Sequence, residues 1–328
     1  MGSPLVSCVV LNWNGSSFVK ECIDSLKQLD YPNIEIIVVD NASTDNSLEI
    51  LGAIENITII RNPVNVGYAA GNNTGFRAAK GAYIATINND IVVEPAWLDE
   101  PIALLEGNRS IGIISSRQMN YFKRDRIDAL YSYLHPSLIF FQEAFRKRYN
   151  EKSFVTGPVQ VLGASGAATL YRKKMLDELN GFDQTFYAYH EESDLCMRAF
   201  LAGWKCVHVP SAVAFHRRSA TFSRIKPAMF YYQTRNRLWF IYKYTPITLF
   251  LGNCLWVIFT ELRIIRIVLF RERVFPSYMR GMIDGFKGMA GLKKTRQSNM
   301  ELMAAKKTEY ALLRKLKFIP LAPGSQGR

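Results

Sequence analysis

The chain has 328 residues, is 48% hydrophobic and 12% aromatic, and sets 41 Lys+Arg against 28 Asp+Glu for a net charge of +13. That composition excludes a disordered chain, and 21 Gly with five Cys exclude collagen-like and disulfide-scaffold proteins. The length suits one large domain with an appendage.

Strand and helix patterns alternate through the first 120 residues. Val6–Leu11 is a short β-branched run, Phe18–Leu29 has helical spacing, and Ile34–Val39 is a second buried-strand run. Ser47–Ile54 reads as helix, Ile57–Ile60 as strand, Tyr68–Lys80 as helix and Tyr83–Ile87 as strand. This order predicts an α/β fold, a mostly parallel sheet with helices on both faces. Polar residues gather just past the strands' carboxyl ends, where open α/β sheets bind ligands. Residues 120–157 show no clear period and include Arg146-Lys147-Arg148, so they read as a variable insertion. Regular patterns return over 159–216, and 226–328 looks helical and basic. The expected division is therefore 1–225 and 226–328.

Charge follows the same division. Residues 1–216 hold 19 Lys+Arg and 23 Asp+Glu, whereas 217–328 hold 22 and 5. All the net positive charge lies in the last third, as expected of a part that meets an anionic surface. Leu238–Thr260 carries one charge, Lys243, but Pro246 and Asn253 interrupt it, and a spanning helix needs about 20 apolar residues. Tyr231, Tyr232, Trp239, Tyr242, Tyr244 and Trp256 cluster there with Arg235 and Arg237. Amphipathic helices lying in a headgroup layer have that mixture. Peripheral attachment to an anionic membrane is the expectation, with a buried helix pair or a homo-oligomer interface as the alternative. Cys8, Cys22, Cys196, Cys206 and Cys254 are odd in number and form no C-x-x-C, which predicts reduced thiols in a cytoplasmic protein. Met1-Gly2-Ser3-Pro4 does not begin a signal peptide.

Several clusters carry chemistry. Asn88-Asn89-Asp90 ends an apolar strand, where a carboxylate can bind Mg²⁺ or Mn²⁺ beside a phosphate, although the same residues make good turns. His190-Glu191-Glu192-Ser193-Asp194 packs three carboxylates into four residues. Such crowding raises a carboxyl pKa toward the range of a general base, and acidic residues also simply stabilise a helix N-terminus. His216 ends the apolar run Val207–Phe215 and gains meaning if it converges with Asp90 on one cation. Asn12-Trp13-Asn14-Gly15 sets an aromatic at the first strand's end, where it can stack on a nucleobase or fill the core. No G-x-G-x-x-G follows that strand and no P-loop motif exists, which argues against dehydrogenases and P-loop enzymes.

Taken together, Val6–Gly15, IIVVDNASTDNS at 36–47, NVGYAAGNNTG at 65–75, Ile87–Asp90, GASGAATLYR at 163–172 and Gly181–His216 resemble the family 2 glycosyltransferases, inverting enzymes of the GT-A fold. The nearest subgroup looks rhamnosyltransferase-like, and the resemblance covers about residues 5–220. It implies transfer of a sugar from a nucleotide-sugar donor, UDP- or dTDP-linked first, to a hydroxyl of a glycan or lipid-linked acceptor in polysaccharide or glycolipid assembly. It implies Glu192 as base, where the family usually has Asp. Donor contacts would come from Asn12, Trp13, Asn14, Asp40, Asn41, Asn72 and Asn89. Asp90 and His216 would hold Mn²⁺ or Mg²⁺, with Asn88 where many members have a further Asp. Gly166, Arg172, Glu191 and Asp194 would lie near the acceptor. The implied location is the inner face of the cell membrane. The rival readings are a sugar nucleotidyltransferase, which would carry a basic glycine-rich loop that Asn12–Ser17 lacks, and a non-enzymatic membrane- or nucleic-acid-binding protein. The acidic balance of 1–216 argues against a nucleic-acid partner.

Overall fold

A computed structural model describes residues 2–150, 154, 156–218, 226–271, 273–305 and 319–320. The strands are β1 (Val6–Asn12), β2 (Ile34–Asp40), β3 (Thr58–Arg61), β4 (Tyr83–Asn88), β5 (Ile91–Val93), β6 (Ile111–Asn120), β7 (Ile127–Ala129), β8 (Ser132–Leu134), β9 (Phe140–Gln142), β10 (Val159–Val161), β11 (Ala168–Arg172), β12 (Lys205–His216) and β13 (Ile319–Pro320). β4, β1, β2 and β3 lie side by side and parallel, as the alternating pattern predicts. β11 then runs antiparallel between β4 and β6, so the sheet is mixed on that side. β12 pairs parallel with β6 and antiparallel with β5 and β10.

Each central strand is apolar on both faces. Val6, Cys8 and Val10 pack with Ile36 and Val38 under α1 (Val19–Lys27), with Leu51 of α2 (Ser47–Gly52) and Leu105 of α4 (Asp99–Gly107) in the same cluster. Val9, Ile37 and Val39 face the other way, toward Ala69 and Phe76 of α3 (Gly67–Ala78). Met175 of α5 (Lys173–Glu178) and Leu195 of α6 (Glu191–Ala202) complete that second core. Each buried Val, Ile, Leu, Met or Phe side chain among them contributes about 1.5–3 kcal/mol, which fixes the sheet and leaves the strand ends to carry polar groups. All five cysteines are free thiols.

The stretch read as a variable insertion, 120–157, carries regular structure among its described residues. β7 pairs with β6, and β8 and β9 form a hairpin. Residues 151–153 and 155 of that stretch lie outside the described residues.

The expected boundary near 225 falls next to 219–225, also outside the described residues. Beyond it come α7 (Lys226–Tyr244), α8 (Ile247–Arg266), a π-helical turn (Ile267–Arg271), α9 (Phe275–Gly288) and α10 (Lys293–Ala305). Pro246 separates α7 from α8, since it lacks the N–H that would continue the helix. α7 packs against the α/β part: Phe240 and Tyr244 share a buried cluster with Leu162, Met197 and Leu201. Ile319–Pro320 returns to pair with β10. Among the described residues no helix is long and apolar enough to cross a membrane.

Candidate active site

The register of the sheet brings the polar strand ends onto one rim. Asn12 lies opposite Asp40, and Leu11 opposite Asn88. The Asn12 amide is the centre of this rim. Its Nδ2 lies 2.9 Å from Asp40 Oδ1, 3.0 Å from Ser47 Oγ and 3.2 Å from Ser43 Oγ, while its Oδ1 accepts from Asn89 Nδ2 at 2.9 Å. Asp40 Oδ2 accepts from the Ser43 N–H at 3.1 Å. Asn14 Oδ1 accepts from the Thr44 N–H at 2.8 Å. Asn41 donates to Asn65 Oδ1 and the Gly67 carbonyl, and accepts from Asn62 Nδ2 and the Val66 N–H.

Thus Asn12, Asp40 and Asn41, read from sequence as donor contacts, are buried and already bonded to the protein. They build the loops at 41–47 and 62–67. Trp13 is half-buried at the same rim. Asn72 donates to the Tyr68 carbonyl at 3.0 Å, and its buried Oδ1 has no hydrogen-bond partner among the described residues, a state worth about 1–3 kcal/mol of lost stability.

Asp90 and His216 meet, as the sequence reading required. His216 Nε2 lies 3.3 Å from Asp90 Oδ1, and its Nδ1 lies 2.7 Å from Asp128 Oδ2. Burial works against a charge on His216, but Asp90 and Asp128 outweigh it and raise the imidazole to about 9. The ring therefore stands as a cation between two carboxylates. Without a metal that 3.3 Å contact is an ion pair; adjacent ligands of an octahedral cation sit about 3 Å apart, so the same two atoms would suit neighbouring positions of one cation once the imidazole lost its proton. Among the described residues no group of three or more His, Cys, Asp or Glu has an arrangement that holds a metal on its own. The oxygen–imidazole pair suits a cation only with further ligands from a phosphate or water.

Glu192 lies in the first turn of α6. Its carboxylate packs on Gly166 and takes a hydrogen bond from the Gly166 N–H; a Cβ built on Gly166 would overlap the carboxylate and come 2.8 Å from Cγ. Gly166 is fixed from behind, its carbonyl accepting from Tyr68 Oη at 3.0 Å and Thr86 Oγ1 at 3.2 Å. The Asn88 N–H donates to the Ala167 carbonyl at 2.9 Å, which seats this loop beside Asn89 and Asp90. Burial lifts the Glu192 carboxyl to about 7, against the opposing pull of the Gly166 N–H and the His216 charge. Glu191 is 3% exposed, and burial with the adjacent Glu192 charge holds it protonated far above the usual carboxyl range.

The structure does not bring Arg172 or Asp194 into this cluster. Arg172 pairs with Tyr83 at the start of β4, about 20 Å along the strand from Asp90. There its guanidinium donates to the carbonyls of Ile111, Leu105 and Asn108. Asp194 is fully buried on the far side of α6. Burial disfavours its charge, but Arg198 and Lys243 outweigh that and hold its carboxyl below the ordinary value. It pairs with Arg198 Nε at 2.7 Å and with Lys243 Nζ, and accepts from Tyr244 Oη at 2.7 Å.

Two residues that the sequence reading missed matter as much. Asp128, in the 120–157 stretch, orients His216; its short β7 segment gave no periodic signal. Lys243, which also pairs with Asp183 at 3.0 Å, is 2% exposed, and its being the one charge in the apolar run Leu238–Thr260 was a usable sign of a buried partner.

A family model described as glycosyl transferase family 2 matches residues 7–179, more than half of the chain. The chain belongs to glycosyl transferase family 2. It is 34% identical to a Haemophilus influenzae glycosyltransferase over 117 residues, 34% of this chain and 36% of that protein. It is 27% identical to the pre-mycofactocin glycosyltransferase of Mycobacterium tuberculosis over 214 residues, 64% of this chain and 42% of that one. The matched stretches thus span well under two thirds of these relatives. Among solved structures, S. aureus TarS 1–349 in complex with UDP superposes with a TM-score of 0.55 at 14% identity, covering 98% of this chain and 94% of that one. The mannosyltransferase PcManGT from Pyrobaculum calidifontis, solved with GDP-Man and Mn²⁺, gives 0.52 at 16% identity, covering 95% and 88%. At such identities the likeness speaks for the fold, a GT-A-type α/β sheet with helices on both faces.

Proposed function

We propose that this glycosyltransferase family 2 chain transfers a sugar from a nucleoside-diphosphate sugar to an acceptor hydroxyl with inversion. The observation that carries the reading is Glu192: a carboxylate raised to about 7, held on the Gly166 N–H, one strand away from the Asp90–His216 pair. A general base works best with its pKa near the working pH. Glu192 takes the proton of the acceptor hydroxyl as that oxygen forms its bond to the anomeric carbon from the face opposite the leaving diphosphate, which inverts that centre. Trp13 and the Asn72 Oδ1 face the nucleoside, and the buried Asn12–Asp40 lattice keeps their loops in place. Asp90 and His216, once its imidazole gives up the proton, would hold a divalent cation, Mn²⁺ or Mg²⁺, which would neutralise charge on the diphosphate. UDP- and dTDP-linked donors are the first candidates; UDP and UDP-GlcNAc accompany TarS in its solved complexes.

The acceptor in this proposal is lipid-linked and met at an anionic leaflet. Support comes from α8, where Leu251, Leu255, Trp256, Phe259 and Leu262 are all exposed beside Arg263 and Arg266 in the part that carries the charge surplus. Hydrophobic side chains seat such a helix in the headgroup layer and cations bind its phosphates.

Thermal unfolding with UDP, dTDP and GDP, each with and without Mn²⁺, tests the donor part. Nucleotide at 100 times its Kd stabilises by about 2.7 kcal/mol. A Mn²⁺-dependent rise with one nucleotide supports the reading; no rise with any of them refutes it. Flotation with phosphatidylglycerol vesicles tests the membrane part, and a salt-independent dimer that ignores vesicles would replace it with self-association.

A further inference from the structure

The four residues before Glu191 adopt an unusual backbone. Tyr187, Tyr189 and His190 have φ of 65°, 69° and 70°, none of them glycine. A left-handed non-glycine residue costs roughly 1–3 kcal/mol and persists only where its surroundings over-determine it. The His190 carbonyl accepts from the Asp194 N–H at 2.9 Å and so opens the first turn of α6, the turn that carries Glu192. The conformation of 187–190 therefore sets where Glu192 points.

That conformation is held from α7. Asn236 is fully buried, and its Nδ2 lies 2.8 Å from the Phe186 carbonyl, 2.8 Å from that of Ala188 and 2.7 Å from that of Tyr189. Arg235 Nε donates to Asn236 Oδ1 at 2.9 Å, which fixes the amide with its NH₂ toward the loop. Arg235 Nη2 adds bonds to the Thr185 and Phe186 carbonyls, each at 3.0 Å. Tyr232 stacks on Tyr187 with ring centroids 4.7 Å apart. On its other side, Tyr187 lies against Gly67, whose φ of 84° and whose 2.6 Å distance from a built Cβ to the Tyr187 ring leave room for glycine alone.

We propose that Asn236 is a positioning residue for Glu192: its side-chain amide, reaching from α7 to three carbonyls of the loop at 186–189, holds the first turn of α6 in the geometry that transfer requires. The proposal rests on Glu192 as the base. It makes the helix after the α/β part a working piece of the active site. Asn236 is fully buried and its amide bonds to the loop carbonyls, so on this proposal its loss lowers kcat and leaves nucleotide affinity alone.

The test compares Asn236→Ala, Asn236→Asp and Glu192→Gln in the full chain, with UDP- and dTDP-sugars as donors and nucleoside diphosphate release as the readout, normalised to nucleotide-binding sites. Asp fills the same space as Asn but has no N–H to donate. A misplacement of about 1 Å costs about 10²-fold in rate, so both Asn236 variants should lose kcat on that scale with unchanged nucleotide Kd. Unchanged kcat in Asn236→Asp, with Glu192→Gln inactive, overturns the positioning role, because packing alone then suffices. Full turnover in Glu192→Gln overturns the base assignment and this proposal with it. Should the Asn236 variants not fold, Arg235→Gln, which frees the amide from the half-buried side, must also lower kcat at constant Kd; unchanged kcat overturns the proposal.

Discussion

Replacing Gly166 with Ala separates catalysis from folding. The added methyl takes the space of the Glu192 carboxylate and lies 2.8 Å from its Cγ. The loop cannot back away, because the Gly166 carbonyl is bonded to Tyr68 and Thr86 and the next carbonyl to the Asn88 N–H. What can move is the Glu192 side chain, at a cost of about 0.5–1.5 kcal/mol for a poorer rotamer and about 1 kcal/mol for its lost hydrogen bond. The variant should thus unfold only about 2 kcal/mol sooner than the parent. Turnover should fall about 10²-fold, since a base displaced by an ångström or more no longer reaches the acceptor proton. Urea unfolding, nucleotide titration and nucleoside diphosphate release from the donor sugar measure the three quantities. A stable variant with parental kcat would refute the placement of Glu192 as base.

Three further outcomes follow from the geometry. Glu192 must be ionised to accept a proton, and its pKa is raised, so log kcat should fall with unit slope below about pH 7 and level off above it; a profile flat from pH 5 to 8 excludes it as the base. Asp128→Asn removes the charge that orients His216 and should weaken Mn²⁺ binding in the nucleotide complex about 10–100-fold by calorimetry. Unchanged affinity means that His216 is not a ligand. Lys243→Met leaves Asp194 buried with one cation fewer and should cost about 3 kcal/mol in urea unfolding, whereas a loss under about 1 kcal/mol would mean that Arg198 and Tyr244 satisfy Asp194 alone.

The parallel strands were legible because each is apolar on both faces and ends in a polar residue: Asn12, Asp40 and Asn88 all fall at the predicted edge. The meeting of Asp90 with His216 was legible too, since an apolar run led into each. Individual roles were not. Asn12 and Asp40 sit in the motif whatever they bond to, and only coordinates show that their hydrogen bonds are spent within the protein. Arg172 follows the Gly163–Ala168 segment in sequence, but an extended strand of five residues carries it to the opposite end of the sheet. Asp194 shares a cluster with Glu192, yet two positions along a helix turn it through about 200°, toward α7. β7 is three residues long, too short for any period to mark Asp128.

The Asp194–Lys243 pair and the Asn236 amide bear on how the chain can be divided. Cutting it near residue 225, where the charge pattern invites a boundary, would strip Asp194 of a counter-ion and uncover Met197, Leu201 and the carbonyls of Phe186, Ala188 and Tyr189. The α/β part is therefore not a cassette that can be excised or grafted onto a foreign tail. α7 travels with it, and so does α10, whose Met303 lies in one buried cluster with Met197 and Leu201 of α6 and whose Asn299 donates to the Lys243 carbonyl, so the chain beyond Pro246 returns to the same helix.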